Sequence, residues 1–268
     1  MLRILSVFCL FISISAFSQD RVSFVKKVDK VDVLVGGKYF TSYCFPGESQ
    51  LKKAVLFPIL SAQGTTITRG FPMSPRAGER VDHPHHVGMW LNYEDVNGYD
   101  YWNNSNSIVE SLKSHKMGTI RHESISKMTE GNSGSLQVTA AWIDDDGKGK
   151  RVLDESTTYV FSGSGDLRII DRITTLKAVS DVVTFKDVKD GMFALRVARQ
   201  LEIPSNKPDV FTDAHGVETK VPVMDNTGVT GNYHSSEGVE GEAVWSTRAK
   251  WMNLTGKMDN HSINVAIL

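Results

Sequence analysis

Alternating segments between glycine-rich turns constrain the fold more than any other feature of this sequence. From Leu136 to Trp142, apolar residues occupy every second position, which is the pattern of a strand with one buried face. Gly36 and Gly37 predict a hairpin turn. Further strand-like segments cover 22–28, 31–35, 38–45, 152–161 and 167–176. Because successive strands are joined by short turns, the sequence predicts an all-β fold, a large antiparallel β-sandwich.

Helical periodicity is weak, and the best helix candidate, 107–115, is short enough to be a strand instead. The final segment, 262–268, alternates like a strand and then stops without a turn or a polar tail. We therefore expect a chain that is truncated at its C-terminus. Since no linker or repeat interrupts the pattern, we expect residues 19–268 to form one domain.

The first 18 residues have the pattern of a signal peptide. Arg3 provides a basic start, 4–17 is mostly apolar, and Ala16 and Ser18 are small residues at the positions that a signal peptidase needs. The pattern predicts a periplasmic or secreted protein. No later segment approaches ~20 uninterrupted apolar residues, so we expect no membrane insertion after the signal is cleaved.

Charge and cysteine content narrow the class of protein. The 30 Lys and Arg residues nearly balance the 31 Asp and Glu residues, which does not favour a nucleic acid partner. After removal of 1–18 only Cys44 remains, so no internal disulfide can form. We expect Cys44 to be a small buried apolar residue.

A histidine-rich block follows at 82–86, where three of the eight histidines lie within four residues. Pro84 favours an edge strand or a loop over a central strand. If the segment is extended, His83 and His85 share one face, and Asp82 and His86 share the other.

Three interpretations of the block remain open. One histidine can act as a proton donor or acceptor near a sugar, oriented by Asp82 or Asp95. Two histidines and a carboxylate can instead hold a transition metal, or the histidines can simply organise a loop. The aromatic and polar residues at 90–104 favour a sugar site, because flat rings stack on sugars while amides and carboxylates bind hydroxyl groups.

A second charged block lies at 185–196. Lys189 and Arg196 can bind polar groups or stabilise a developing enolate, although such charges are often ordinary ion pairs. Asp171 has the strand parity of Leu167 and Ile173, which predicts a core position and a buried partner such as Arg196.

Several of these segments carry a family resemblance. The motifs at 69–72, 82–102, 189–196 and 248–256, in this order, resemble the PmoA-like family of exported bacterial proteins that carry the label "methane oxygenase PmoA". The resemblance implies a galactose-mutarotase-like supersandwich and a role in carbohydrate breakdown. The family pattern has Arg where this chain has Val87, and it continues beyond 264–266 into a further segment.

The sequence and the resemblance together predict an exported carbohydrate-active protein that uses acid/base catalysis for epimerisation, elimination or hydrolysis of a sugar. A non-catalytic carbohydrate-binding module is the alternative, and a metal-dependent oxygenase is the second one. We expect the protein to use no cofactor. The alternative is a metal ion held by His83 and His85. The candidate catalytic residues are Asp82, His83, His85 and His86. The candidate substrate-binding residues are Arg69, Trp90, Asn92, Asp95, Asn97, Trp102, Lys189 and Arg196.

Overall fold

Strands form nearly all of the regular structure. The computed structural model describes residues 19–108, 110–145, 148–179 and 182–268, so the predicted signal peptide 1–18 lies outside the described residues. Of these described residues, 49% are in strands and 4% in helical turns, which confirms the predicted all-β class. The strands are β1 Val22–Lys26, β2 Lys30–Val35, β3 Lys38–Cys44, β4 Val55–Ile59, β5 Met89–Tyr93, β6 Gly118–Thr129, β7 Ser133–Asp144, β8 Arg151–Ser164, β9 Leu167–Ala178, β10 Gly191–Leu195, β11 Asp209–Thr212, β12 Glu218–Val221, β13 Asn232–Ser235, β14 Met252–Met258 and β15 His261–Ile267.

These strands form antiparallel sheets. The largest has the order β1-β2-β3-β4-β5-β10, and the second has the order β6-β7-β8-β9. A three-stranded sheet, β13-β14-β15, and the hairpin β11-β12 complete the fold. Most neighbours are also consecutive in sequence, as short turns predict, whereas β10 joins β5 after a long excursion through the second sheet.

The main core lies between the two larger sheets, which makes the fold a sandwich. Val31 and Val33 of β2 are fully buried. Across the interface, the ring of Phe161 lies 6.0 Å from that of Phe24, and the rings of Tyr43 and Tyr159 are 5.6 Å apart. These contacts join side chains from strands whose alternation gives each sheet one apolar face.

Most of the predicted strands are confirmed, including the terminal one, which is β15 and pairs with β14. Of the described residues in 107–115, which leave out 109, none is in a regular helix or a strand, and the only helical part is a 3₁₀ turn at Glu110–Leu112. The facing predicted for β9 is wrong. Leu167 and Ile173 are 57% and 62% exposed, and Asp171 is exposed beside them. Asp171 therefore needs no buried partner.

The connection from β4 to β5, residues 60–88, contains the histidine-rich block. Because β10 pairs with β5, Arg196, the residue that follows β10, lies beside the C-terminal end of this connection. Among the described residues, no helix has the length and apolar character needed to cross a membrane.

Candidate functional site

The histidine loop, residues 80–88, turns sharply where the sequence allowed an extended segment. The His86 amide donates to the His83 carbonyl at 2.9 Å, and His83 has a φ of 45°. The segment is thus a loop, one of the two forms that Pro84 favours, and the sharing of faces expected for an extended segment does not apply to it. Gly88 ends the loop at a φ of 57°, and a Cβ there would lie 2.1 Å from the Leu56 carbonyl oxygen. Only glycine lets the loop approach β4 so closely.

Arg69 holds the histidine loop from beneath. Its side chain is 1% exposed, and its two terminal nitrogens donate to the carbonyl oxygens of the loop. The acceptors are the carbonyls of Arg80, Asp82, His83 and His86, at 2.8 to 3.3 Å. The planar guanidinium suits such a convergent set of acceptors. In this arrangement Arg69 positions the loop, whereas the sequence placed it among the substrate-binding residues.

Asp82 and His83 form a hydrogen-bonded pair at the surface of the loop. Asp82 Oδ2 lies 2.7 Å from His83 Nδ1. Asp82 Oδ1 accepts hydrogen bonds from Arg69 and Arg196, both at 2.7 Å. Burial raises the pKa of Asp82, but the His83 hydrogen bond and the two arginine charges outweigh it and hold the pKa well below its usual range. The carboxylate is therefore ionised at neutral pH.

An ionised Asp82 fixes the orientation of the His83 ring. A carboxylate can only accept, so Nδ1 carries the proton and Nε2 keeps its lone pair when the imidazole is neutral. The His83 side chain is 54% exposed, which leaves this ring open to a ligand. The arrangement can remove or return a proton and stabilise the resulting imidazolium.

The other two histidines are packed into the loop. The His86 ring stacks on His83 at 4.8 Å and on Trp90 at 4.9 Å, and His85 is 6% exposed. Burial, aided by the charge of Lys53, lowers the pKa of His85 to about 3. Burial and the neighbouring histidines also hold the pKa of His86 well below its usual range. Both rings are neutral at pH 7, and neither Nε2 has a hydrogen-bond partner among the described residues.

Trp90, Asn92 and Trp102 lie beneath the loop. They are 1%, 0% and 7% exposed, and both indoles belong to an apolar cluster. Asn92 donates to the Tyr101 carbonyl at 2.7 Å. As placed, these side chains cannot contact a sugar at the surface. Trp90 instead supports the His86 ring.

Strand register separates Asp95, Asn97 and Lys189 from the histidines. Gly191 pairs with Tyr93 at one end of β5 and Leu195 with Met89 at the other, so Lys189 and Arg196 lie at opposite ends. A five-residue strand spans about 17 Å.

Asp95, Asn97 and Lys189 lie at the end of β5 away from the histidine loop, where they have surroundings of their own. Asp95 accepts from Lys186 Nζ at 3.0 Å, Asn97 accepts from the Thr184 amide at 2.8 Å, and the Lys189 side chain is 74% exposed. Of the predicted charged pair, the structure brings only Arg196 to the histidine loop.

Two neighbouring residues, Glu202 and Tyr233, were absent from the sequence prediction. Glu202 lies 2.8 Å from Arg80 Nε and 3.6 Å from Arg196, so it shares the arginines that border Asp82. Burial raises the pKa of the Tyr233 hydroxyl, and the nearby charges of Arg196 and Glu202 also act on it, in opposite directions. No motif marks either residue, because both reach the loop only through the fold.

The donor arrangement does not fit the metal site considered from the sequence. His83 Nδ1 faces Asp82, and the ring of His83 meets that of the buried His85 edge to face with centroids 5.5 Å apart. Within the described ranges, no group of three His, Cys, Asp or Glu side chains is placed to hold a metal ion.

Comparison with known families places the chain. The model of DUF6807, a family of unknown function, matches residues 30–268. The chain belongs to the DUF6807 family. The match runs from β2 to β15, so the histidine loop and Arg196 are parts of the DUF6807 region. No curated protein and no solved structure matches the chain significantly.

Proposed function

We propose that this DUF6807 protein is an exported, carbohydrate-active protein in which His83 performs acid/base catalysis on a sugar or modified sugar. The observation that supports the proposal is the 2.7 Å contact between ionised Asp82 and Nδ1 of a largely exposed His83. Export rests on the signal-like pattern of 1–18, and the substrate class rests on the resemblance to PmoA-like proteins.

In the proposed reaction, His83 Nε2 takes a proton from a sugar carbon or hydroxyl group or, in hydrolysis, from the attacking water, whose hydroxide bonds to the sugar as the leaving group departs. Asp82 holds the ring and stabilises the imidazolium that forms, and His83 then returns the proton to the product or the leaving group. Arg196 shares the Asp82 carboxylate and is 21% exposed, so its remaining surface can stabilise negative charge that develops on a substrate oxygen. Epimerisation, elimination and hydrolysis all need such a proton transfer.

A turnover screen tests the proposal. The full-length protein is incubated with native and keto-sugars, and His83→Asn is compared with the wild type. General acid/base catalysis contributes about 10²–10⁴-fold, so His83→Asn is expected to lose that much turnover while it remains folded. His215→Asn, in an exposed turn, is the matched control and is expected to retain full turnover. Equal turnover in His83→Asn and the wild type would refute a catalytic His83.

A carbohydrate-binding module is the second candidate, and two exposed indoles favour it. Trp245 and Trp251 are 75% and 41% exposed, and exposed rings of this kind can stack on sugars. A binding module would retain sugar affinity in His83→Asn and lose it in Trp245→Ala. Titration calorimetry of both variants separates this candidate from the enzyme.

A further inference from the structure

A small pocket lies behind the histidine loop, on the side formed by Pro84 and His85. Its volume is about 280 Å³, near the lower end of the range for small-molecule sites. Asp82 and His83 do not line it, so it is distinct from the proposed catalytic pair. The lining contains no Asp or Glu but includes two lysines, Lys52 and Lys53.

Lys53 is a buried amine beside this pocket. Its residue is 6% exposed, and Nζ donates to the His85 carbonyl at 2.8 Å and lies 5.5 Å from the Trp90 ring centroid. In the described part of the chain, no carboxylate forms an ion pair with it. A buried ammonium without a counter-charge is costly, so buried lysines are usually paired.

Asp100, the acid whose charge acts on Lys53, is already engaged. Asp100 accepts from the backbone and side-chain nitrogens of Asn103 at 2.9 and 2.8 Å and contacts His115 Nδ1 at 3.2 Å. Burial lowers the pKa of Lys53 to about 7, and the charge of Asp100 only partly opposes this effect. A bound anion would supply the missing charge and favour the protonated amine.

The remaining lining groups suit an oxyanion. His85 is also more than nine-tenths buried, and its Nε2 has no hydrogen-bond partner among the described residues. Gln50 and Asn106 provide amides, and Ser105 and Ser107 provide hydroxyl groups. Hydrogen-bond donors around a cation, without competing carboxylates, are the usual surroundings of a bound carboxylate or sulfate.

We propose that this pocket is a binding site for a small oxyanion, a carboxylate or sulfate group, with Lys53 as its counter-charge. The group can come from an acidic sugar or from a free inorganic anion. Binding here does not require chemistry at His83, so the two proposals can fail separately.

Titration calorimetry on the full-length protein tests the site with glucuronate, sulfate and, as the neutral control, glucose. We expect at least one anion to bind with an affinity that depends on Lys53, and we expect any binding of glucose to be the same in Lys53→Met as in the wild type. Glucuronate binding that sulfate displaces would assign the pocket to an acidic sugar, whereas binding of sulfate alone would assign it to an inorganic anion. If neither anion binds at a concentration of about 10 mM, its affinity is weaker than that of an ordinary millimolar ligand, and the proposal is overturned.

Variants locate the binding in this pocket. Lys53→Met removes the charge at similar length, and we expect it to weaken anion binding at least tenfold. Lys177→Met, on the exposed edge strand β9, is the matched control and is expected to bind like the wild type. Ser107→Trp fills the exposed rim without touching the core and is expected to block binding in a folded protein. Unchanged affinity in both Lys53→Met and Ser107→Trp would overturn the assignment, and His83→Asn is expected to leave anion binding intact.

Discussion

Replacement of Arg69 by lysine tests whether one guanidinium positions the histidine loop. Arg69 makes five hydrogen bonds to the loop, four to carbonyls and one to the Asp82 carboxylate. A lysine has three donors on one nitrogen, so at least two contacts are lost. Each buried acceptor left without a donor costs about 1–3 kcal/mol, and the His83 carbonyl retains the His86 amide. We therefore expect Arg69→Lys to lower the free energy of unfolding by about 2–4 kcal/mol.

Urea denaturation measures this change, and Arg151→Lys is the matched control. The Arg151 side chain is 41% exposed and forms ion pairs with Glu123 and Asp154. Exposed pairs contribute little, so the control should lose less than about 1 kcal/mol. A loss of less than about 0.5 kcal/mol in Arg69→Lys would refute the positioning role, because peripheral contacts lose no more than that. If the loop positions His83, turnover in the folded Arg69→Lys protein should fall more than substrate affinity.

Three further predictions concern the histidine loop and the residues assigned to the site. Gly88→Ala should destabilise the protein by more than about 2 kcal/mol in thermal unfolding, because the new Cβ would clash with the Leu56 carbonyl oxygen and the residue has a positive φ. A smaller loss of stability would contradict the close approach of the loop to β4. The free energy of unfolding should fall as the pH drops from 6.5 towards 3, because histidine in the unfolded chain binds a proton in this range while folded His85, with a pKa of about 3, does not. Denaturation curves recorded across this pH range should show a shallower fall for His85→Asn than for the wild type. An equal dependence on pH in the two proteins would exclude His85 as the source. Lys189→Ala should leave turnover unchanged in kinetic assays, since Lys189 lies at the other end of β5; a tenfold loss would place Lys189 in the site after all.

Local patterns predicted the strands well because each strand carries its own signal. The Gly36-Gly37 hairpin and the alternation from Leu136 to Trp142 need no knowledge of distant residues. The facing of β9 could not be predicted from its apolar residues alone. Leu167 and Ile173 point to solvent, and the opposite residues, Ile170 among them, face the core.

The candidate site was predicted less completely, because it depends on tertiary contacts. Neighbours in sequence, Asp82 and His83, do meet, and the position of Arg196 beside them follows from the register of β10 on β5. That register was not available from the sequence, so Lys189 could not be separated from Arg196. Lys53 could not be singled out either, because the sequence does not distinguish a buried lysine from an exposed one.

A double-mutant cycle of turnover between Asp82 and His83 examines the proposed catalytic pair itself. If Asp82 acts through His83, His83→Asn should reduce turnover by about 10²–10⁴-fold, and the further change Asp82→Asn should reduce it little more. Independent losses that multiply in the double variant, or full turnover in His83→Asn, would contradict a catalytic Asp82–His83 pair.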